Sequence, residues 1–293
     1  MFLPLAIVLA LALLWSVCWF IASGIAKQRF AATRANLAAQ GLTLACGEES
    51  WGGYPFHFEF TCPSPKLSWN GSFELHAAHL LMVTLAYAPW QIAALVDGPT
   101  MLRGPVTATT EIKHQRALAA VTFGRDGQPS FSAELPAASA AGVGQAGKLM
   151  LFTRPSVAGA TEIAFDASQV TFQPTGKPPV TLDTATLRGT LNADRSLRID
   201  KIELQQGQLR CWGSGTLTLE PEHRVSGRID AETNDIRALL AAAGPQLGLS
   251  DSQLANLRMM LGLLGNDARV PIIARDGVLY LGPFEVTELK PLY

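Results

Sequence analysis

Cys46 and Cys62 stand 16 positions apart and bracket a crowded stretch, CGEESWGGYPFHFEFTC. Trp51, Tyr54, His57 and Glu59 between them are side chains that could bind or catalyse. The two thiols could close the loop as a disulfide, and a loop of that size contributes roughly 3 kcal/mol in the chain-entropy account. The alternative is two unconnected reduced thiols. Zinc fits less well, because neither C-x-x-C nor H-x-x-x-H spacing occurs. Of the other two cysteines, Cys18 lies in an apolar run, and Cys211 is expected as a buried thiol beside Trp212 in a strand.

The remaining motifs carry little chemistry. Gly142-Val143-Gly144-Gln145-Ala146-Gly147 satisfies G-x-G-x-x-G. A dinucleotide loop must follow an apolar strand and open a helix. Here a small-residue stretch precedes the glycines and strand-like Lys148 to Phe152 follows, so a flexible loop is expected. Gly213-Ser214-Gly215 is not G-x-S-x-G and sits in mid-strand. His57, His76, His79, His114 and His223 form no catalytic pattern. No catalytic, cofactor-binding or metal-binding set emerges, and a non-enzymatic protein is expected.

Composition narrows the partners. The chain has 293 residues, 48% hydrophobic and only 16% charged, with 23 basic against 24 acidic side chains. A neutral chain without a basic patch argues against nucleic acid.

The elements that must position these residues begin with an anchor. Residues 1–26 carry no charged side chain, and Lys27 and Arg29 close the run. About twenty apolar residues cross a bilayer core of roughly 30 Å. Ala22-Ser23-Gly24 resembles a signal-peptide cleavage site. The run is longer than a typical signal core and lacks a basic n-region, so a transmembrane anchor is expected. Residues 27–41 read as a helical stem ending at Gly41, and 42–293 as a β-rich domain with a sub-boundary near 174–179. Orientation is contested: Lys27, Arg29 and Arg34 follow the span, which favours a cytoplasmic domain. A disulfide favours an oxidising compartment, and an extracytoplasmic domain is expected.

Strand signals dominate from Leu42 onward. Phe56, Phe58 and Phe60 alternate with His57, Glu59 and Thr61, which predicts an aromatic face toward the core. Asn70-Gly71 predicts a two-residue hairpin. Ala137 to Ala146 is small and flexible in composition, a break before the strands resume. Strands then recur every 10 to 15 residues as an antiparallel meander. Two late helices are expected, Asn234 to Ala243 ended by Gly244-Pro245, and Ser250 to Leu264. A hairpin around Arg275-Asp276-Gly277 is expected to end at Gly282-Pro283-Phe284.

Gly52-Gly53-Tyr54-Pro55-Phe56-His57-Phe58 with its flanking cysteines resembles an uncharacterised proteobacterial family, DUF2125. Tyr87-Ala88-Pro89, Asp97-Gly98-Pro99, Asp276 to Pro283 and the N-terminal anchor resemble it too. The β-meander with terminal helices is similar in style to AsmA-like envelope proteins. That likeness implies a mainly β fold: a transmembrane helix and stem, then a large antiparallel, curved sheet forming a groove or open barrel, with C-terminal helices packed on it. It implies an inner-membrane, single-pass protein with its bulk in the periplasm. The expected role is lipid binding, lipid transport or envelope assembly, with lipid acyl chains and other envelope proteins as partners. The alternative is an envelope scaffold without a lipid ligand.

Overall fold

The computed structural model describes residues 3–291 apart from 105–108, 157–158, 174–175, 283, 290 and, except for Ser252, Ala255 and Met259, 248–267. One helix, α1 (Leu3–Ala39), covers both the apolar run and the stem. Its 37 residues make about 55 Å of helix. Pro4 falls in the first turn, where no helical hydrogen bond is lost. The helix closes with Gln40 and Gly41 donating to the carbonyls of Leu37 and Ala38, and Gly41 takes φ +88° as the reversing residue.

Two compact units follow from the contacts, 1–127 and 128–293. The first unit adds ten short strands to α1. They are β1 (Leu42–Ala45), β2 (Ser50–Gly52), β3 (His57–Pro63), β4 (Lys66–Trp69), β5 (Phe73–His76), β6 (His79–Leu85), β7 (Ala88–Asp97), β8 (Thr100–Arg103), β9 (Thr110–Lys113) and β10 (Ala117–Phe123). They pair antiparallel in two ladders, β1-β4-β5-β8-β9 and β2-β3-β6-β7-β10.

The second unit is a meander. Its strands are β11 (Pro129–Ala140), β12 (Gly144–Pro155), β13 (Thr161–Phe172), β14 (Val180–Leu191), β15 (Leu197–Gln206), β16 (Leu209–Leu219), β17 (Val225–Thr233), β18 (Ala268–Arg275), β19 (Val278–Leu281) and β20 (Phe284–Glu288). Each pairs antiparallel with the next. β11 and β20 do not pair with each other, so the sheet stays open rather than closing into a barrel. Helix α2 (Ile236–Leu247) interrupts between β17 and β18. Asp235 caps it, its Oδ1 accepting from the amides of Arg237 and Ala238, both at 3.0 Å. The mainly β, open antiparallel fold expected from the sequence is what the chain adopts.

Several local expectations are corrected. Residues 137–146 are not a flexible break: β11 and β12 run through them, with Ala138 facing Ala146 and Ala140 facing Gly144. Small side chains do not prevent a ladder when long neighbouring strands fix the register. The β4–β5 turn takes three residues, 70–72, because Trp69 pairs with Phe73. α2 continues past Gly244; a glycine there lacks the Cβ that disfavours helical dihedrals before proline. β20 follows where the last hairpin was expected to end. The expected helix at 250–264 lies almost wholly outside the described residues. Residues 174–179 stand in the chain between β13 and β14, which pair from Thr161↔Leu191 to Phe172↔Val180.

Ion pairs within and between strands support the polar side of this meander. Glu203 accepts from Lys201 Nζ at 2.6 Å and from the Arg210 guanidinium. The hydrogen bonds from Lys201 and Arg210 hold its carboxyl below its ordinary value of 4.5, against a smaller opposing effect of burial. A depressed carboxylate stabilises above its unfolded pKa and loses that contribution as pH falls through its folded value. Thermal unfolding should therefore show Glu203→Gln less stable than wild type at neutral pH. The gap should narrow below about pH 4.

Candidate functional site

The stretch between the cysteines is a stapled hairpin. Cys46 and Cys62 are bonded, with Sγ atoms 1.99 Å and Cα atoms 5.3 Å apart. β3 alternates as expected from His57 onward: Phe58, Phe60 and Cys62 are buried, while His57, Glu59 and Thr61 are half-buried. Phe56 breaks the expectation, being 61% exposed. It still belongs to the turn, which the His57 amide closes by donating to the Gly53 carbonyl at 3.0 Å. Strand alternation cannot begin until that turn is complete. Gly53 has φ +101°, and a Cβ there would run into the His57 carbonyl, so the turn requires glycine.

Helix α1 packs along this hairpin. Trp19 stacks on Phe58 with ring centroids 5.5 Å apart, and Phe30 meets Phe60 at 4.7 Å and Trp51 at 5.4 Å. Trp15 Nε1 donates to the Pro55 carbonyl at 3.0 Å, and the Ser16 and Tyr54 hydroxyls share a 2.7 Å hydrogen bond. Arg34 pairs with Glu49. Trp51 and Tyr54, candidates for binding by residue type, are thus engaged by α1. His57 Nε2 lies 3.4 Å from Glu59 Oε2 on the other side of the strand. The hairpin's residues hold the helix against the sheet.

The other motifs are placed as follows. Gly142 lies in the turn between β11 and β12, a strand-to-strand connection rather than the strand-to-helix turn that cradles a pyrophosphate. Ser214 faces Asp230 in mid-ladder. Burial pushes the Cys211 thiol up, against a weaker opposing hydrogen bond with Thr233. Sequence spacing hid one contact: Thr100 Oγ1 lies 2.8 Å from His114 Nε2. Thr100 is buried at 6% exposure, and the ring's Nδ1 meets the Gln115 carbonyl. The pair satisfies a buried hydroxyl.

The distinctive surface belongs to the second unit. Register aligns residues across its strands into rows. One apolar row runs Ala133, Leu151, Phe165, Leu187, Ile202, Gly213, Ala231, Val270. A second runs Leu135, Leu149, Ala167, Ala185, Leu204, Cys211, Thr233. A third runs Phe131, Thr153, Ile163, Gly189, Ile199, Gly215, Ile229, Ile272, Leu281. These residues share one face, because paired residues point the same way. The alternate rows carry charge, with ion pairs Lys148–Glu134, Arg188–Asp166, Arg210–Glu203 and Arg269–Glu232. A bulge between Ile199 and Ile202 keeps both isoleucines on the apolar side.

That apolar face is covered only in part. Ala167, Ile199 and Thr233 are buried, but Leu151, Phe165, Leu187 and Ile202 are half-buried, and Leu204 is 36% exposed. Helix α2 has 12 residues and is about 18 Å long. Nine strands at about 4.8 Å spacing span about 38 Å. Apart from Thr153 and Thr233 the three rows are apolar, and none of their side chains is charged.

A family model described as "Uncharacterized protein conserved in bacteria (DUF2125)" matches residues 19–290. No curated protein and no solved structure matches the chain.

Replacing both Cys46 and Cys62 by alanine should lower unfolding stability by about 3 kcal/mol, read from urea titrations of the detergent-solubilised chain. Alkylation of unreduced, denatured wild-type protein should label Cys18 and Cys211 alone.

Proposed function

The chain belongs to the DUF2125 family, and from that premise we propose that it is a non-enzymatic, membrane-anchored envelope protein that binds lipid acyl chains on the open sheet of its second unit. The observation that carries this reading is the middle apolar row, whose large side chains sit half-buried in mid-sheet. A sheet face of this kind ordinarily lies under a second layer. An acyl chain reaching through half a bilayer core, about 15 Å, fits well within the width of the face. Each methylene removed from water on such a surface contributes about 0.8 kcal/mol, so binding needs no polar recognition.

α1 supports the membrane setting. It is the one described helix long and apolar enough to cross a bilayer. The Cys46–Cys62 bond supports an extracytoplasmic body, because disulfides persist in oxidising compartments. With a bacterial family, this reading places the anchor in the inner membrane and the sheets in the periplasm. Lipid transport or envelope assembly would follow from a chain that carries acyl groups along such a face.

Mass spectrometry of the gently detergent-extracted chain should find copurifying phospholipid. Leu204→Glu combined with Leu191→Glu should sharply reduce it without unfolding the sheet, since both leucines are already exposed and on the apolar side. A lipid-free wild-type chain would overturn the reading and favour an envelope scaffold.

A further inference from the structure

The ladder β2-β3-β6-β7-β10 is polarised along its strands. One end carries charge: His79 Nδ1 lies 3.6 Å from Asp97 Oδ2, and Arg116 Nε donates to Asp97 Oδ1 at 2.7 Å. Between those residues, from Leu80 to Val96, no side chain is charged; on the neighbouring β3 the one carboxylate, Glu59, is paired with His57 opposite Val83 and Leu85. The other end carries exposed rings. Tyr87 is 66% exposed in the β6–β7 turn, and Trp90 and Phe56 are more than half exposed. The Ala86 amide donates to the Phe56 carbonyl at 2.9 Å, so the β6–β7 turn and the Gly53–His57 turn form one patch.

The position of that patch along α1 decides what surrounds it. Tyr54 and Pro55 contact Ser16 and Trp15. Trp15 lies twelve positions before Lys27, about 18 Å along the helix axis. On the sides of this stretch that the hairpin leaves open, Val17, Ile21 and Ile25 are all more than half exposed. If the bilayer ended at Trp15, these three would stand in water. If it reaches Lys27, whose ammonium sits 5.9 Å from the Trp51 ring, the end of the ladder is carried in with the helix.

We propose that the end of the ladder bearing Tyr54, Phe56, Tyr87 and Trp90 is immersed beside α1 in the half of the bilayer that ends at Lys27. The domain then sits partly in the outer leaflet instead of standing clear on its stem. Phe123 extends the patch, following the Thr122–Gln91 pair at the same end. The inference rests on α1 being a membrane anchor, and its partner is the bilayer itself.

The test uses the full chain in phosphatidylcholine–phosphatidylglycerol nanodiscs, with Cys18 and Cys211 replaced by serine and the disulfide retained. An environment-sensitive fluorophore is attached at Tyr87→Cys, at Ser72→Cys, or at Cys18 restored. Ser72 is an exposed turn residue next to Asn70, whose amide bonds to Gly41 at the far end of the stem. The expected result is a blue shift, quenching by lipid-borne nitroxide and loss of iodide quenching at positions 87 and 18, with position 72 fully open to iodide. Iodide access at 87 with lipid contact at 18 would overturn the immersion and leave the anchor standing. Iodide access at both would overturn the anchor and the immersion together. Shielding from iodide at 87 without lipid quenching would assign the patch to a protein partner and overturn the proposal.

Discussion

The contact of Trp19 with Phe58 is the constraint on which the first unit depends. It joins a helix made for hydrocarbon to a strand made for a β-ladder, and each needs the other to cover its large side chains. Aromatic pairs of this geometry contribute about 0.5–1.5 kcal/mol beyond their buried area. The cluster repeats the arrangement twice, at Phe30 with Phe60 and at Trp51. Cys62, the next inward residue of β3 and fully buried, ties that strand back to the end of β1. The staple therefore does not guard a reactive loop. It fixes the strand that α1 packs on, so the direction of the helix and the register of β3 are set together.

The second unit answers a different constraint. A ten-stranded meander with no described helix broad enough to cover it must still put its apolar residues somewhere. The register collects them into rows on one side and collects ion pairs on the other. Individually these surface pairs are weak, on the order of 0–1 kcal/mol each. Their larger effect is on alignment, since a one-residue slip would carry Lys201, Glu203 and Arg210 to the apolar side and the isoleucines to the polar side. The bulge at residues 199–202 is the place where a slip is built in, and it preserves the separation.

Much of this was legible in the sequence, for identifiable reasons. The apolar run up to Ala26 and the alternation of Phe58 with Phe60 are local signals, and they survive folding because neighbours in sequence are neighbours in the element. Phe56 was misplaced because a glycine-led turn delays the strand by one residue more than alternation suggests. Residues 137–146 looked like a flexible break because alanine and glycine have weak strand preference, which the pairing of β11 with β12 overrides. The apolar rows were not legible, because a row needs the register of nine strands and no single strand carries it. The packing of Trp15 and Trp19 on residues 54–58 was hidden for the same reason, being some 40 positions apart in sequence.

These two constraints meet in a single physical requirement. An apolar sheet face left half-buried in water is an unstable surface, because exposed apolar area drives self-association as readily as it drives folding. Net charge offers little protection: the chain's formal charge is −1, too small for long-range repulsion to keep copies apart. On the proposed reading, acyl chains shield the rows. An occupant that binds the folded sheet and not the unfolded chain also adds to stability by mass action. A tether that holds the protein at a bilayer supplies acyl chains at high local concentration, and so makes a weak, non-polar site sufficient. On this view the anchor and the open face are parts of one design, in which the membrane fixes the protein's place and provides what its sheet must cover.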